Sequence, residues 1–303
     1  MRVFVTGATG YIGSAVVAEL LGAGHEVLGL VRSDEGAASL TAAGASIHRG
    51  DLNDLDSLRR GAAASDGVIH TAYNHDFTVS RPEAAQTDRR AIMAMAEVLS
   101  GSNRPLVTTS GTGVRAGGRI ATEDTVPVSD VTGRYANEEA AMTFVERGVR
   151  MVVVRFPPSV HGRGDHGFIS MIVNIARTKG VSAYPGEGSN RWPAVHRLDA
   201  AHLFRLAVET APAGARLHGV GDEGVAVRDI AELIGRHLKL PVTSISREQA
   251  GTHFGFLGAF FGLDCPASSA LTQERLGWHP VQPGLIADLD EGHYFTEVAA
   301  AIA

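Results

Sequence analysis

Apolar residues along this chain gather in short unbroken runs, and between the runs they recur at every third or fourth position. Val3 to Val5, His25 to Val31, Ser46 to Arg49, Gly67 to Ala72, Pro105 to Thr109 and Met151 to Phe156 read as strands. Most show no polar alternation, the pattern of strands covered on both faces. Ile12 to Leu21, Asp54 to Ala64, Glu83 to Ser100 and Tyr135 to Arg147 read as helices, with Ile92, Met95, Ala96 and Leu99 forming one apolar stripe. The Gly22–Gly24 segment stops the first helix, and Asn53 or Asp54 caps the next. Strands alternating with helices of this length imply parallel crossovers. The expected fold is α/β, a doubly wound parallel sheet with helices on both faces.

The first strand runs into a turn carrying Gly7, Gly10 and Gly13, and a helix follows at once. Gly7 can take the positive φ the turn needs, Gly10 lets the backbone approach a pyrophosphate, and Gly13 lets the helix close on the strand. The free N–H groups of the first helical turn and the helix dipole then attract the anion. Thr9, Tyr11 and Ile12 lie in the same loop and are expected to contact this dinucleotide. Arg32 and Ser33 stand at the tip of the second strand, which reaches the adenosine ribose. An arginine there, with no acid at the tip, accommodates a 2′-phosphate, so NADP is expected in preference to NAD. Asp34 tempers this, because it can fold back onto the ribose. Asp51 and Leu52 end the third strand beside the adenine. The exit of the fourth strand offers Thr71, Ala72 and Tyr73 to the nicotinamide and Asn74 to a substrate. The fifth strand delivers Ser110 and Thr112 to the same edge of the crevice.

Composition narrows the partners. A net charge of −6 gives no basic surface for nucleic acid or anionic lipid. The single cysteine, Cys265, excludes an internal disulfide and a cysteine-based zinc site. No apolar run approaches a membrane span, and the first strand leaves no space for a signal peptide, so a cytoplasmic protein is expected. The length of 303 residues accommodates a dinucleotide-binding domain, 1–158 with 194–225, and a smaller substrate domain, 159–193 with 226–303. In the latter, Phe168 to Thr178 and Val227 to Leu238 read as helices. Its aromatic run from His253 to Leu263 reads equally as a packed interface or as an apolar substrate lining. His161, Asp165, His166 and His196 match no metal-ligand spacing, and no metal is expected.

The order of these segments is also familiar. TGATGYIG at the start, Asp51-Leu52, His70 to Ala72, the threonine pair ending in Ser110, and Tyr135 just inside a helix resemble the extended or atypical short-chain dehydrogenase/reductases, the NAD(P)-dependent epimerase/dehydratase group. Residues 154–162 are similar to that family's Arg-x-x-x-x-Val-Tyr-Gly segment, with His161 in the tyrosine place. Residues 194–201 and 276–280 resemble its later signatures. The resemblance implies cofactor contacts from Pro157 and Ser159, a substrate hydrogen bond from Ser110 and proton transfer by Tyr135. It also implies pairing of two subunits through the helices 83–100 and 135–147, a homodimer. One departure stands out. The family's lysine, four residues after the tyrosine, is Glu139 here. A carboxylate beside a phenol disfavours the phenolate, so Tyr135 would be a poor base and a usable acid, which favours reduction over oxidation. Nucleotide-sugar members clamp the substrate pyrophosphate with an arginine seven residues before the aspartate that is Asp199 here. That place holds Trp192, with Arg191 adjacent. Phe168 and Trp192 are therefore expected to face an apolar substrate.

The function expected from the sequence is NADPH-dependent reduction of a small, mainly apolar or aromatic carbonyl compound, with Tyr135 as proton donor, Ser110 beside it and Glu139 modifying it. Two alternatives stand: a non-catalytic NADP-binding sensor, motivated by Glu139, and a nucleotide-sugar epimerase or dehydratase, motivated by the resemblance.

Overall fold

In the computed structural model, residues 1–75, 79–112, 119–126 and 133–296 are described. The alternating part runs β1 (Arg2–Thr6), α1 (Tyr11–Gly22), β2 (Glu26–Val31), α2 (Asp34–Ala42), β3 (Ser46–Arg49), α3 (Leu55–Ala63), β4 (Gly67–His70), α4 (Arg81–Leu99), β5 (Pro105–Gly111), α5 (Arg134–Met142) and β6 (Arg150–Phe156). It continues through β7 (Ser159–His161), α6 (Phe168–Lys179), β8 (Ser182–Pro185), β9 (Arg191–His196), α7 (Arg197–Thr210), β10 (Ala215–His218), β11 (Asp222–Ala226), α8 (Val227–Leu238) and β12 (Val242–Ile245). The chain closes on α9 (Arg247–Phe254), α10 (Leu257–Phe261), α11 (Ala270–Leu276), α12 (Leu285–Asp290) and α13 (His293–Thr296).

Seven strands form one parallel sheet in the order β10-β6-β5-β4-β1-β2-β3. The chain starts mid-sheet, winds outward through β2 and β3, then returns to β4 on the other side of β1. That reversal opens a crevice at the carboxyl ends of β1 and β4, where ligands of wound sheets bind. Alternate residues of β1 feed two cores, one on each face. Val3 and Val5 pack with Val16, Leu20, Phe204 and Val208, while Phe4 packs with Leu58, Ile92, Met95 and Phe144. A third core lies around Trp192, Ile172, Ile230 and Phe261, joined to short sheets β11-β9-β7 and β12-β8. Among the described residues no helix is long and apolar enough to cross a membrane.

The sequence pattern misses several elements, among them α2, α7, β10 and the short strands β7, β8 and β9. Helix α2 buries only Ala37 and Leu40, too thin an apolar stripe to read, and Ser33 caps it by accepting from Gly36 N at 3.1 Å. Helix α7 hides inside a motif and packs on α1. Strand β10 has four residues, yet it pairs with β6 as the seventh strand of the sheet. Ends also shift, and α5 stops at Met142 instead of Arg147. β4 stops at His70 because the Thr71 hydroxyl turns back to donate to Thr6 O at 2.8 Å. β5 runs on to Gly111, so Ser110 lies within the strand. Most of the polar loop read between Thr112 and Arg134 lies outside the described residues.

Candidate active site

The turn between β1 and α1 is built without room for side chains. Gly7 has φ +68°, and a Cβ there would stand 2.7 Å from Ala72 N. A Cβ on Gly13 would fall 1.9 Å from Gly7 O. Gly10 donates to Gly7 O at 2.8 Å and begins α1 with no side-chain cap, so the first-turn N–H groups have no side-chain acceptor. Thr9 and Gly10 are exposed at this mouth, and Ile12 is half-buried. These features fit the diphosphate of a dinucleotide, held by backbone N–H groups. When bound, the nicotinamide would supply or accept hydride.

At the adenosine end, Arg32 is exposed at the tip of β2. Asp34 pairs with Arg49 instead of folding toward the ribose site. Asp51 is spent on a local turn, accepting from Asn53 N at 2.6 Å, and Leu52 lies half-buried beside it. Ser33 holds the start of α2, as above.

At the other end, Thr71 and Ala72 lie directly across Gly7, which puts the exit of β4 over the glycine turn. Tyr73 follows, its ring covered by the Arg134 guanidinium at 3.9 Å and meeting the His75 ring edge-on at 5.2 Å. Burial raises the Tyr73 phenol, and Arg134 opposes that rise. His75 sits at the open mouth yet is crowded by surrounding atoms. That desolvation, with the Arg134 guanidinium and the neighbouring His166 adding to it, pushes its imidazole down to about 4. Asn74 is half-buried between the two rings in sequence. Behind this wall a buried polar chain joins the elements. Thr6 Oγ1 meets His70 Nδ1 at 2.6 Å, His70 Nε2 meets Asp88 Oδ1 at 3.1 Å, and Asn137 donates to Asp88 Oδ2 at 2.7 Å. Sequence reasoning passed over His70, Asp88 and Asn137, although a histidine and an aspartate within apolar patterns of β4 and α4 are a readable signal.

Tyr11 of α1 meets the segment that follows β7 and leads into the third core. Tyr11 donates to Gly162 O at 3.0 Å, lies under Arg197 at 4.6 Å and meets His166 edge-on at 5.6 Å. Its phenol is raised by burial and by Asp165. Asp165 accepts from Tyr294 Oη at 3.0 Å and from Gly167 N at 2.6 Å, and burial pushes its carboxyl up to about 6. Phe168, half-buried, packs with Phe256 and Phe260, and Arg81 of α4 reaches across to the Phe260 ring at 5.0 Å. Both sides therefore carry aromatic rings with arginines over them, and the Tyr11 side also carries the Asp165 carboxyl.

Several residues named from the sequence stand elsewhere. Trp192 is fully buried, donates to Phe260 O at 3.1 Å and packs on Phe261 at 5.1 Å, so it is core and not a substrate contact. The aromatic run 253–263 is largely that same core, with Phe256 and Phe260 at its surface. Thr112 is fully buried, with its hydroxyl given to Phe156 O at 3.3 Å, and does not face a substrate either. Arg191 is held by Asp264 through Nε and a second nitrogen, both at 3.1 Å. Pro157 and Ser159 are buried, and the Ser159 hydroxyl has no hydrogen-bond partner among the described residues. Asp288 takes both His161 at 2.9 Å and His293 at 3.0 Å. With Glu291, Asp288 and His293 bring three ligand-type atoms within 4.8 Å, a grouping absent from the sequence reading.

Tyr135 and Ser110 are not brought together by any described contact. Ser110 is buried at the carboxyl end of β5, in register with Arg155, and its hydroxyl has no partner among the described residues. Tyr135 lies on the flank of α5 that carries Glu139. Its phenol is raised by burial and then by the Glu139 carboxylate, with Glu138 adding to the rise and Arg216 opposing it. Glu138, buried, binds Arg155 at 2.6 and 3.0 Å and Arg216 at 2.7 Å, while Glu139 binds Arg216 at 2.6 Å.

The glycine cradle, the crevice at the sheet reversal and the segment order agree with what is found among known proteins. Residues 3–218 match the NAD dependent epimerase/dehydratase family. An uncharacterized protein of Schizosaccharomyces pombe is 51% identical over 97% of this chain and 100% of its own. The 4-hydroxy-2-methyl-3-oxo-4-farnesyl-3,4-dihydroquinoline-1-oxide ketoreductase of Stigmatella aurantiaca is 29% identical over 71% of this chain and 66% of its own. The solved structure of UDP-glucose 4-epimerase from Thermotoga maritima superposes with TM-score 0.75 at 20% identity, covering 97% of this chain and 98% of that one. The chain belongs to the NAD dependent epimerase/dehydratase family, the extended short-chain dehydrogenase/reductases, and is an NAD(P)-dependent enzyme of that family.

Proposed function

We propose that this enzyme reduces a small, mainly apolar or aromatic carbonyl compound with NADPH. The observation that carries the reading is the crevice itself. The β1–α1 turn is a side-chain-free diphosphate cradle, Phe168 packs with Phe256 and Phe260, Arg81 of α4 reaches that cluster, and the residues at the nucleotide-sugar clamp position are both engaged. Trp192 is buried there and Arg191 is tied to Asp264. A substrate diphosphate would have to break that ion pair, whereas an apolar carbonyl compound would not. The Stigmatella relative is a ketoreductase, which points the same way. The preference for NADPH rests on Arg32, exposed at the tip of β2, and on Asp34, which is paired with Arg49.

A panel of ketones and aldehydes with NADPH, followed by the loss of nicotinamide absorbance, tests the reaction. Turnover is expected with aryl or alkyl ketones. Arg32→Ala is expected to weaken NADPH binding about tenfold and leave NADH binding unchanged, the loss of one charged hydrogen bond to phosphate. Equal weakening of both would remove the cofactor preference. The family's own description favours a second reading, a nucleotide-sugar epimerase or dehydratase. NAD retained through purification, with protection from unfolding by a UDP-sugar, would put it first.

A further inference from the structure

Carbonyl reduction needs a group in the crevice that gives a proton to the substrate oxygen; with the Tyr11 hydroxyl given to Gly162 O, Tyr73 and Tyr135 compete for that place. Tyr135 has carboxylates for neighbours. Ionising it would set a negative charge against Glu139, and the nearby cation, Arg216, is already bonded to Glu138 and Glu139. Burial raises the Tyr73 phenol as well, but the cations beside it act against that rise. The Arg134 guanidinium covers its ring at 3.9 Å, and Arg81 is a second cation acting on it. The acid that opposes them, Asp88, is bonded to His70 and Asn137. Position separates the two residues further. The backbone of Ala72, next to Tyr73, is where a side chain on Gly7 would collide, so Tyr73 leaves the sheet over the dinucleotide turn. β4 pairs with β5 in parallel through Val68 with Leu106 and Ile69 with Val107, so Tyr73, after the end of β4, and Ser110, near the end of β5, leave the same edge of the sheet.

We propose that Tyr73 is the proton donor of this crevice, with Arg134 as its positioning residue, in the role the sequence pattern gives to Tyr135. This rests on the reading of the site as a carbonyl reductase. The reduced dinucleotide supplies a hydride, and with it two electrons, to the carbonyl carbon. Tyr73 Oη gives its proton to the carbonyl oxygen as the C=O π bond opens, and the Ser110 hydroxyl donates a hydrogen bond to the same oxygen. The phenolate left on Tyr73 is held by the Arg134 guanidinium, a cation–π partner turned charge partner, until solvent at the open mouth returns a proton. The arginine thus takes the place of the missing lysine from a different side of the crevice.

The chain has five tyrosines, so labelling the tyrosine Cζ carbons with 13C gives five resonances, and loss of one signal in Tyr73→Phe and another in Tyr135→Phe assigns both. The intact protein is titrated with alkali in the presence of oxidised NADP, and again with 2′,5′-ADP, which lacks the nicotinamide. The positive nicotinamide ring is expected to lower the Tyr73 titration by about one pH unit relative to 2′,5′-ADP, and to leave Tyr135 in place. Arg134→Gln is expected to raise the Tyr73 titration. In turnover assays Tyr73→Phe is expected to lower kcat at least about 100-fold, with the dinucleotide Kd unchanged, while Tyr135→Phe costs less than about threefold. A nicotinamide-dependent shift on Tyr135 in place of Tyr73, or turnover that survives Tyr73→Phe and collapses in Tyr135→Phe, overturns the assignment alone. A shift on Tyr73 with no carbonyl reduced by the wild-type protein removes the reductase reading and the proton donor with it.

Discussion

Replacing Glu138 by alanine isolates a buried charge pair, Glu138 with Arg155. Glu138 and Arg155 are 3% and 1% exposed, and the carboxylate makes two charge-assisted bonds to that guanidinium and one to Arg216. In Glu138→Ala, Arg155 keeps only the carbonyl oxygens of Glu123 and Thr125, each at 3.2 Å, and stays out of water with its charge uncompensated. Arg216 loses less, because it is partly exposed and keeps Glu139. Removing one partner of such a pair costs about 3–5 kcal/mol. For a chain of this length that corresponds to a melting point lower by about 5–8 °C. Urea titration and thermal unfolding of the whole protein measure it. The double variant Glu138→Leu with Arg155→Met is the control, since removing both charges leaves nothing unpaired, and it should recover most of the loss. A single variant that costs under about 1 kcal/mol, or a double variant no better than the single, would refute the reasoning. The pair also anchors α5, the helix that presents Arg134 to Tyr73, so the single variant should lose turnover along with stability.

Gly13→Ala places a methyl 1.9 Å from Gly7 O and forces the turn open. Losing even one charged hydrogen bond to the diphosphate raises the dinucleotide Kd at least about tenfold, measurable by calorimetry. Asp165 carries a second prediction. Its folded carboxyl holds a proton up to about pH 6, against an ordinary value of 3.8, so the folded state binds more protons than the unfolded between these limits. Stability is therefore expected to fall as pH rises from about 4 to about 6 and to stay lower above that range. Asp165→Asn, which keeps an acceptor for Gly167 N, should flatten the slope and gain on the order of 1–3 kcal/mol at pH 8 in urea titrations. An unchanged slope would contradict the assignment to this residue.

The first half of the wound sheet was legible because each strand is a run of residues covered on both faces, and each helix after it carries a recognisable stripe. Helix α2 escaped notice because only Ala37 and Leu40 are buried, and β10 because four residues give no period. The glycine turn was legible for a physical reason: a Cβ on Gly7 or Gly13 would overlap backbone atoms, so the residue type records the geometry. Side-chain partners were not. The sequence set Tyr135 four residues before Glu139, and that spacing does put the two side by side, with the phenol raised as expected. It could not show that Arg134, one residue earlier and so turned about 100° around the helix, covers Tyr73 from a different element. Nor could it show that Trp192 turns into a core instead of the crevice, because an aromatic residue serves either place equally well.

A crystal structure with NADPH bound tests the central claim most directly. The account predicts the diphosphate within hydrogen-bond distance of the backbone N–H groups at the start of α1, with the nicotinamide between Tyr73 and Ser110. Density for the dinucleotide at any other place, or a diphosphate at the turn with its nicotinamide directed away from Tyr73, would contradict it.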